Sequence, residues 1–148
     1  MITQDMFASF ISKTLAQTSQ LARDQFGKVS GSTKAGDNNQ VLTQTDLEIG
    51  KAIIAAIQAE FPDHNIIDEE AGVIDNGSQF TWVVDPIDGT SNFANGIPTY
   101  GTMLGLLDGD TPVAGGLSLP SFEEIYVAEK GKGTQCNGIP VHVTAEEK

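Results

Sequence analysis

Trp82-Val83-Val84-Asp85-Pro86-Ile87-Asp88-Gly89-Thr90-Ser91-Asn92-Phe93 is the stretch on which the reading of this chain turns. Thr81 to Val84 is a short apolar run of the kind that forms a buried strand. It stops in Asp85-Pro86-Ile87-Asp88-Gly89-Thr90. Pro86 has no N–H to give a sheet ladder, and Gly89 admits backbone conformations closed to other residues, so the chain is expected to turn here. Asp-Pro and Asp-Gly are ordinary turn dipeptides. What sets this turn apart is a pair of carboxylates on a stiff corner at a strand end. Carboxylates that converge in a partly buried place repel one another and lose hydration, and a cation relieves both costs.

Upstream lies a second acidic corner. Ile66-Ile67 reads as a short strand and runs directly into Asp68-Glu69-Glu70. If the two strands are neighbours, both corners meet. Before them, residues 4–26 carry Phe7, Phe10, Ile11, Leu15, Leu21, Ala22 and Phe26 mostly on one helical stripe. Residues 27–40, rich in Gly, Ser, Asn and Lys, read as a surface loop holding Lys34. A short extended piece is expected at 41–43. Thr45-Asp46-Leu47-Glu48 has the spacing of a capping box, opening a helix that buries Ile49, Ala52, Ile53, Ala56, Ile57 and Phe61 and stops at Pro62. Asp46 would lie in its first turn, where a carboxylate complements the helix dipole. Residues 71–80 read as a polar loop.

Downstream the pattern becomes antiparallel β. Runs at 100–107, 111–119 and 125–128 are separated by turn residues, and Asn137-Gly138 is a strong hairpin signal before a strand at 140–144. The expected fold class is α+β, two helices packed on a mostly antiparallel sheet, in one domain over residues 1–148.

Composition narrows the function. Eight basic residues against 20 acidic ones give a net charge of −12, which argues against nucleic-acid binding. No apolar run reaches the length of a membrane helix, and Met1 to Phe10 lack a signal-peptide pattern. Cys136 is the single cysteine, which fits a reducing compartment and a cytoplasmic setting. Arg23 is the single arginine, so no arginine cluster is available to clamp a phosphate. A phosphate-bearing substrate would have to be held by metal ions and backbone N–H groups.

With Glu69, Asp85 and Asp88 converging and the Ile87 carbonyl beside them, the donors are all oxygen. That set favours Mg²⁺, Mn²⁺ or Ca²⁺ over Zn²⁺. His64 and His142 are the only histidines and lack metal-ligand spacing, reading instead as a turn residue and a strand residue. A carboxylate shared between two Mg²⁺ ions suits hydrolysis of a phosphate ester. Gly89 and Thr90 would open a helix whose N–H groups face the phosphate.

The run from Trp82 to Phe93, with Glu69-Glu70 and Thr45-Asp46 upstream and Gly131 to Gly138 downstream, resembles the inositol monophosphatase family. These are Mg²⁺-dependent, lithium-sensitive phosphatases related to fructose-1,6-bisphosphatase. The resemblance implies roles by position. Glu69 would bind the first metal and orient the water. Asp85 would bridge two metals, the Ile87 carbonyl would complete the first site, and Asp88 would serve the second. Gly89 and Thr90 would hold the phosphate, with Thr90 helping to activate water. Asp46 and Glu70 would stand behind them, and the loop around Lys34 would lie near the site. The cofactor implied is Mg²⁺, with Mn²⁺ as a substitute. The substrate implied is a small phosphorylated metabolite, an inositol phosphate or sugar phosphate, and a homodimer is the expected assembly.

Members of that family are typically nearly twice this length, with a second, α/β half whose aspartate completes the second metal site. The chain therefore reads as the N-terminal half, with the first metal site whole and the second short of a ligand. Two alternatives stay open: a phosphatase for a sugar bisphosphate or phosphonucleotide, and a non-catalytic metal-binding or self-associating fragment.

Overall fold

The computed structural model describes residues 6–28, 31–34 and 37–145, and the side chains of 32–42 lie outside the description. The three-to-four spacing of apolar residues builds α1 (Met6–Gln25). It buries Ile11, Leu15 and Ala22 and lays Phe7, Phe10, Leu21 and Phe26 against the same core. Residues 4 and 5 of the expected helix lie outside the described residues.

The segment expected as a loop contains a hairpin instead. β1 (Ser32–Lys34) and β2 (Asp37–Leu42) pair antiparallel, with Ser32 opposite Leu42 and Thr33 opposite Val41. Backbone pairing needs no apolar alternation, so polar composition concealed it. Residues 29, 30, 35 and 36 and the Lys34 side chain lie outside the description.

α2 (Gln44–Glu60) begins two residues earlier than the capping signal at Thr45 and Glu48 suggested. Thr43 is its extended N-cap, accepting the N–H of Asp46 at 3.3 Å while Asp46 Oδ2 accepts the N–H of Thr43 at 2.9 Å. Two such spacings overlap in the sequence. The earlier one wins because it buries Asp46 and leaves Glu48 outside. Ile49, Ile53 and Ile57 face the core as expected; Ala52 is exposed, and Ile54 packs against the core in addition.

The remaining chain forms an eight-stranded sheet. Its strands are β3 (Asn65–Asp68), β4 (Gly72–Ile74), β5 (Phe80–Asp88), β6 (Gly101–Asp108), β7 (Thr111–Leu119), β8 (Glu124–Glu129), β9 (Thr134–Cys136) and β10 (Ile139–Val141). Their order is β10-β9-β8-β7-β6-β5-β3-β4. Every pairing is antiparallel except β3 with β5. The polar loop expected at 71–80 thus holds the short strand β4, and His142 lies just beyond β10 rather than in it. A third helix, α3 (Thr90–Ala94), follows the Asp-Gly corner.

α1 and α2 cover one face of the sheet and pack on each other. The core beneath them contains Trp82, Val84, Ile66, Leu104 and Leu106. On the opposite face Ile67, Val73, Val83 and Met103 remain exposed. Register brings them together: Ile67 lies across from both Val73 and Val83, and Met103 across from Asp85.

Candidate active site

β5 does not end at Val84. It continues through Asp85-Pro86-Ile87-Asp88, with a register shift against β6 between Asp85 and Asp88. The expected turn is a bulge, which tolerates Pro86 because local ladder pairing is already broken. Thr102 Oγ1 donates to the Pro86 carbonyl at 2.8 Å and pins the irregularity from β6. Ile87 is buried, while Asp88, opposite Gly101, is exposed.

The parallel pairing of β3 and β5 runs both strands toward the same end of the sheet. Asp68 lies opposite Val84, and the Glu69 N–H donates to the Val84 carbonyl at 3.1 Å. Asp68 and Val84 are buried toward the helices. Asp85, the next residue of β5, leaves the strand on the other face by the alternation of side chains. The backbone of the Asp68-Glu69-Glu70 corner thus runs alongside that of the Asp85 corner.

Gly89 adopts a left-handed conformation (φ 80°, ψ 39°) as N-cap of α3. A side chain there would be strained, and its Cβ would stand 3.1 Å from the Thr99 carbonyl. Thr90, one residue on, places Oγ1 2.9 Å from Asp46 Oδ1 and 2.9 Å from the Ile87 carbonyl. Its single hydroxyl hydrogen serves one acceptor at a time, and the charged one makes the stronger bond. Asp46 is itself fixed, its Oδ2 accepting both the Thr43 N–H and the Thr43 hydroxyl. Asp46 and Thr90 are 44 residues apart, and nothing in their spacing announced the contact. The backbone of β2 lies beside α3, so the hairpin carrying Lys34 borders this corner.

Glu70 and Asp46 line a pocket of about 380 Å³ between α2 and the end of β3, together with Leu47, Gly50, Lys51 and Asp68. A larger hollow of about 480 Å³ lies elsewhere, between α1 and β8, with Ser9, Lys13 and Glu129 on its walls. Size alone does not point to the acidic corner.

The donors Glu69, Asp85, Asp88 and the Ile87 carbonyl suit a hard divalent cation in kind, all being oxygen. Among the described residues, however, no three His, Cys, Asp or Glu side chains close into a ligand cluster.

Solved structures share this fold. The solved Thermotoga maritima IMPase matches with a TM-score of 0.85 and 31% identity, over 93% of this chain and 53% of that one. The chain thus has the fold of about half of that solved protein. The chain belongs to the inositol monophosphatase family, whose sequence model matches residues 4–148. A fructose-1,6-bisphosphatase/inositol-1-monophosphatase of Aquifex aeolicus is 35% identical over 130 residues, 86% of this chain and 49% of that protein. A histidinol-phosphatase of Chlorobaculum parvum is 35% identical over 126 residues, 85% of this chain and 49% of that protein. The chain spans about half the length of these relatives.

Proposed function

We propose that this chain supplies the cation-binding and water-orienting half of a Mg²⁺-dependent phosphate monoester hydrolase acting on a small phosphorylated metabolite. The parallel pairing of β3 with β5 supports the reading, because it runs the backbone at Glu69 alongside that at Asp85. Glu69, Asp85 and the Ile87 carbonyl would hold one divalent cation, and Asp85 with Asp88 would take part in a second. When bound, such cations lower the pKa of a water and stabilise the leaving oxygen.

The chain's own groups do the positioning. Asp46 can only accept, so the Thr90 hydroxyl donates to it, which leaves the lone pairs of Oγ1 to accept from a water. With its hydrogen turned to Asp46, Thr90 also leaves the Ile87 carbonyl available to a cation. Glu69 orients the same water from the other corner and accepts its proton. The N–H groups of Gly89 and Thr90 hold the phosphate. The names of the relatives place inositol monophosphate, fructose 1,6-bisphosphate and histidinol phosphate among the substrates to try. The exposed face of Ile67, Val73, Val83 and Met103 is where a second half, such as the relatives possess, would pack.

The test is Mn²⁺ binding to the chain by calorimetry, alongside release of phosphate from these three esters, in Mg²⁺ and in EDTA, by the protein that joins this chain to such a second half. Mn²⁺ binding by the chain and Mg²⁺-dependent release by the joined protein, both removed by Asp85→Asn, are the expected result. A chain that binds no Mn²⁺, or an Asp85→Asn variant that binds it unchanged, overturns the metal reading.

A further inference from the structure

We infer that Asp68, a buried acid which the chemistry above leaves unused, is the positioning residue for Glu69, and that it acts through a notch in α2 at Gly50. The inference rests on the reading of Glu69 as a cation ligand. Asp68 is the last residue of β3 and is 3% exposed. Its Oδ1 accepts two backbone N–H groups, from Glu70 at 2.8 Å and Ala71 at 2.7 Å. The Glu69 N–H is held by the Val84 carbonyl. Glu69 is therefore fixed on both sides, and the direction in which its side chain leaves the strand is set by the carboxylate just before it.

The other oxygen explains the glycine. Oδ2 of Asp68 is buried with no hydrogen-bond partner among the described residues. A Cβ on Gly50 would stand 2.9 Å from that oxygen and 3.2 Å from Cγ of Pro86. Gly50 is interior to α2, where glycine is less favourable than alanine. Its missing side chain lets one turn of α2 rest on Asp68 at one acidic corner and on Pro86 at the other. The same helix carries Asp46, which holds Thr90. α2 thus gauges the separation of the two corners from the side opposite the cation.

The test measures Mn²⁺ affinity by electron paramagnetic resonance, amide exchange at Glu70 and Ala71, and the urea midpoint of each variant. Asp68→Ala is expected to weaken Mn²⁺ at least about tenfold, as loss of a group behind a ligand does, and to expose both amides to exchange. Asp68→Asn, which keeps the acceptor, should stay within about threefold of the parent on the same scale. Gly50→Ala should weaken Mn²⁺ like Asp68→Ala, and adding Asp68→Ser, with its shorter acceptor, should restore most of the affinity. A merely structural Asp68 would lower the urea midpoint in Asp68→Ala and leave Mn²⁺ affinity unchanged, overturning the inference while Asp85→Asn still abolishes binding. If Asp85→Asn also binds normally, the cation reading itself has failed. A Gly50→Ala defect that Asp68→Ser does not relieve overturns the notch.

Discussion

Trp82 and Asp85 lie on one strand, β5, yet its two ends are built in opposite ways. At the Trp82 end every demand is met. The indole is fully buried, with ring centroids 5.2 Å from Phe10 and 5.4 Å from Phe61, and its N–H donates to His64 Nδ1 at 3.1 Å. Regular pairing flanks it on both sides, to Ile66 of β3 and Leu106 of β6. At the Asp85 end the ladder is broken, Gly89 is left-handed, and one oxygen of Asp68 lies buried without a donor among the described residues. Burial of like charges and polar atoms without partners costs stability that a folded chain keeps only where something else requires it. One end of β5 secures the fold, and the other spends part of that stability on holding acids in fixed positions.

Substitutions separate the two ends. Trp82→Ala should cost about 3–5 kcal/mol, the range for deleting a buried aromatic ring, read as a lowered urea midpoint or as failure to accumulate folded protein. A loss under about 1 kcal/mol would mean that the aromatic cluster does not anchor the fold. Asp85→Asn should do the reverse. Asp85 lies outside the aromatic core, so the urea midpoint should hold or rise, as is common when a functional site is neutralised. In the protein that joins this chain to a second half, Mg²⁺-dependent phosphate release should meanwhile fall by roughly 100-fold or more if Asp85 holds the proposed cation.

The aromatic end was far more legible in the sequence than the acidic one. Ile11, Leu15, Ile53 and Ile57 announce their helices by spacing alone, and the Asn137-Gly138 turn links β9 to β10 where the dipeptide said it would. Both acidic corners were visible as strand ends, and Gly89-Thr90 as a helix start. Three things were not. The bulge hid because Pro86 reads as a terminator, whereas β6 keeps the strand going by binding the Pro86 carbonyl through Thr102. β1 and the first part of β2 hid because hairpin pairing is a backbone property, while Val41 and Leu42 fall within the extended piece expected at 41–43. Asp68 hid inside a run of three acids, although period-two alternation from buried Ile66 would have turned it inward and Glu69 outward. The contact of Asp46 with Thr90 depends on how α2 crosses the sheet, which no local pattern carries.

That contact gives a smaller but sharper test. Asp46→Asn keeps the size of the side chain but offers Thr43 and Thr90 one acceptor where they had two. The cap should lose about 1 kcal/mol in urea unfolding. Thr90→Val leaves the cap intact and should lose phosphate release by roughly 10- to 100-fold, the scale of one lost charge-assisted hydrogen bond to the water, with little change in the urea midpoint. If Asp46→Asn costs stability but no turnover, while Thr90→Val costs turnover, the acid serves the helix and not the hydroxyl.

The smallest effect is expected back at the aromatic end. Burial pushes the His64 pKa below its ordinary 6.5, with Asp63 opposing in part. The ring is stacked on Phe61 and Phe80 and uses Nδ1 to accept from Trp82, a contact that only the deprotonated nitrogen can make. Between the folded and unfolded pKa values the unfolded chain binds more protons, so stability rises with pH. The contribution is complete above 6.5 and is lost as pH falls through the lowered folded value. Urea midpoints taken from about pH 8 down to about pH 5.5, above most carboxylate titration, should therefore decline. His64→Gln, which retains an acceptor for the indole but does not titrate, should flatten that slope. An equal slope in both proteins would assign the pH dependence to the acidic end of β5 instead, and would erase the claim that the aromatic end has every partner it needs only while His64 is neutral.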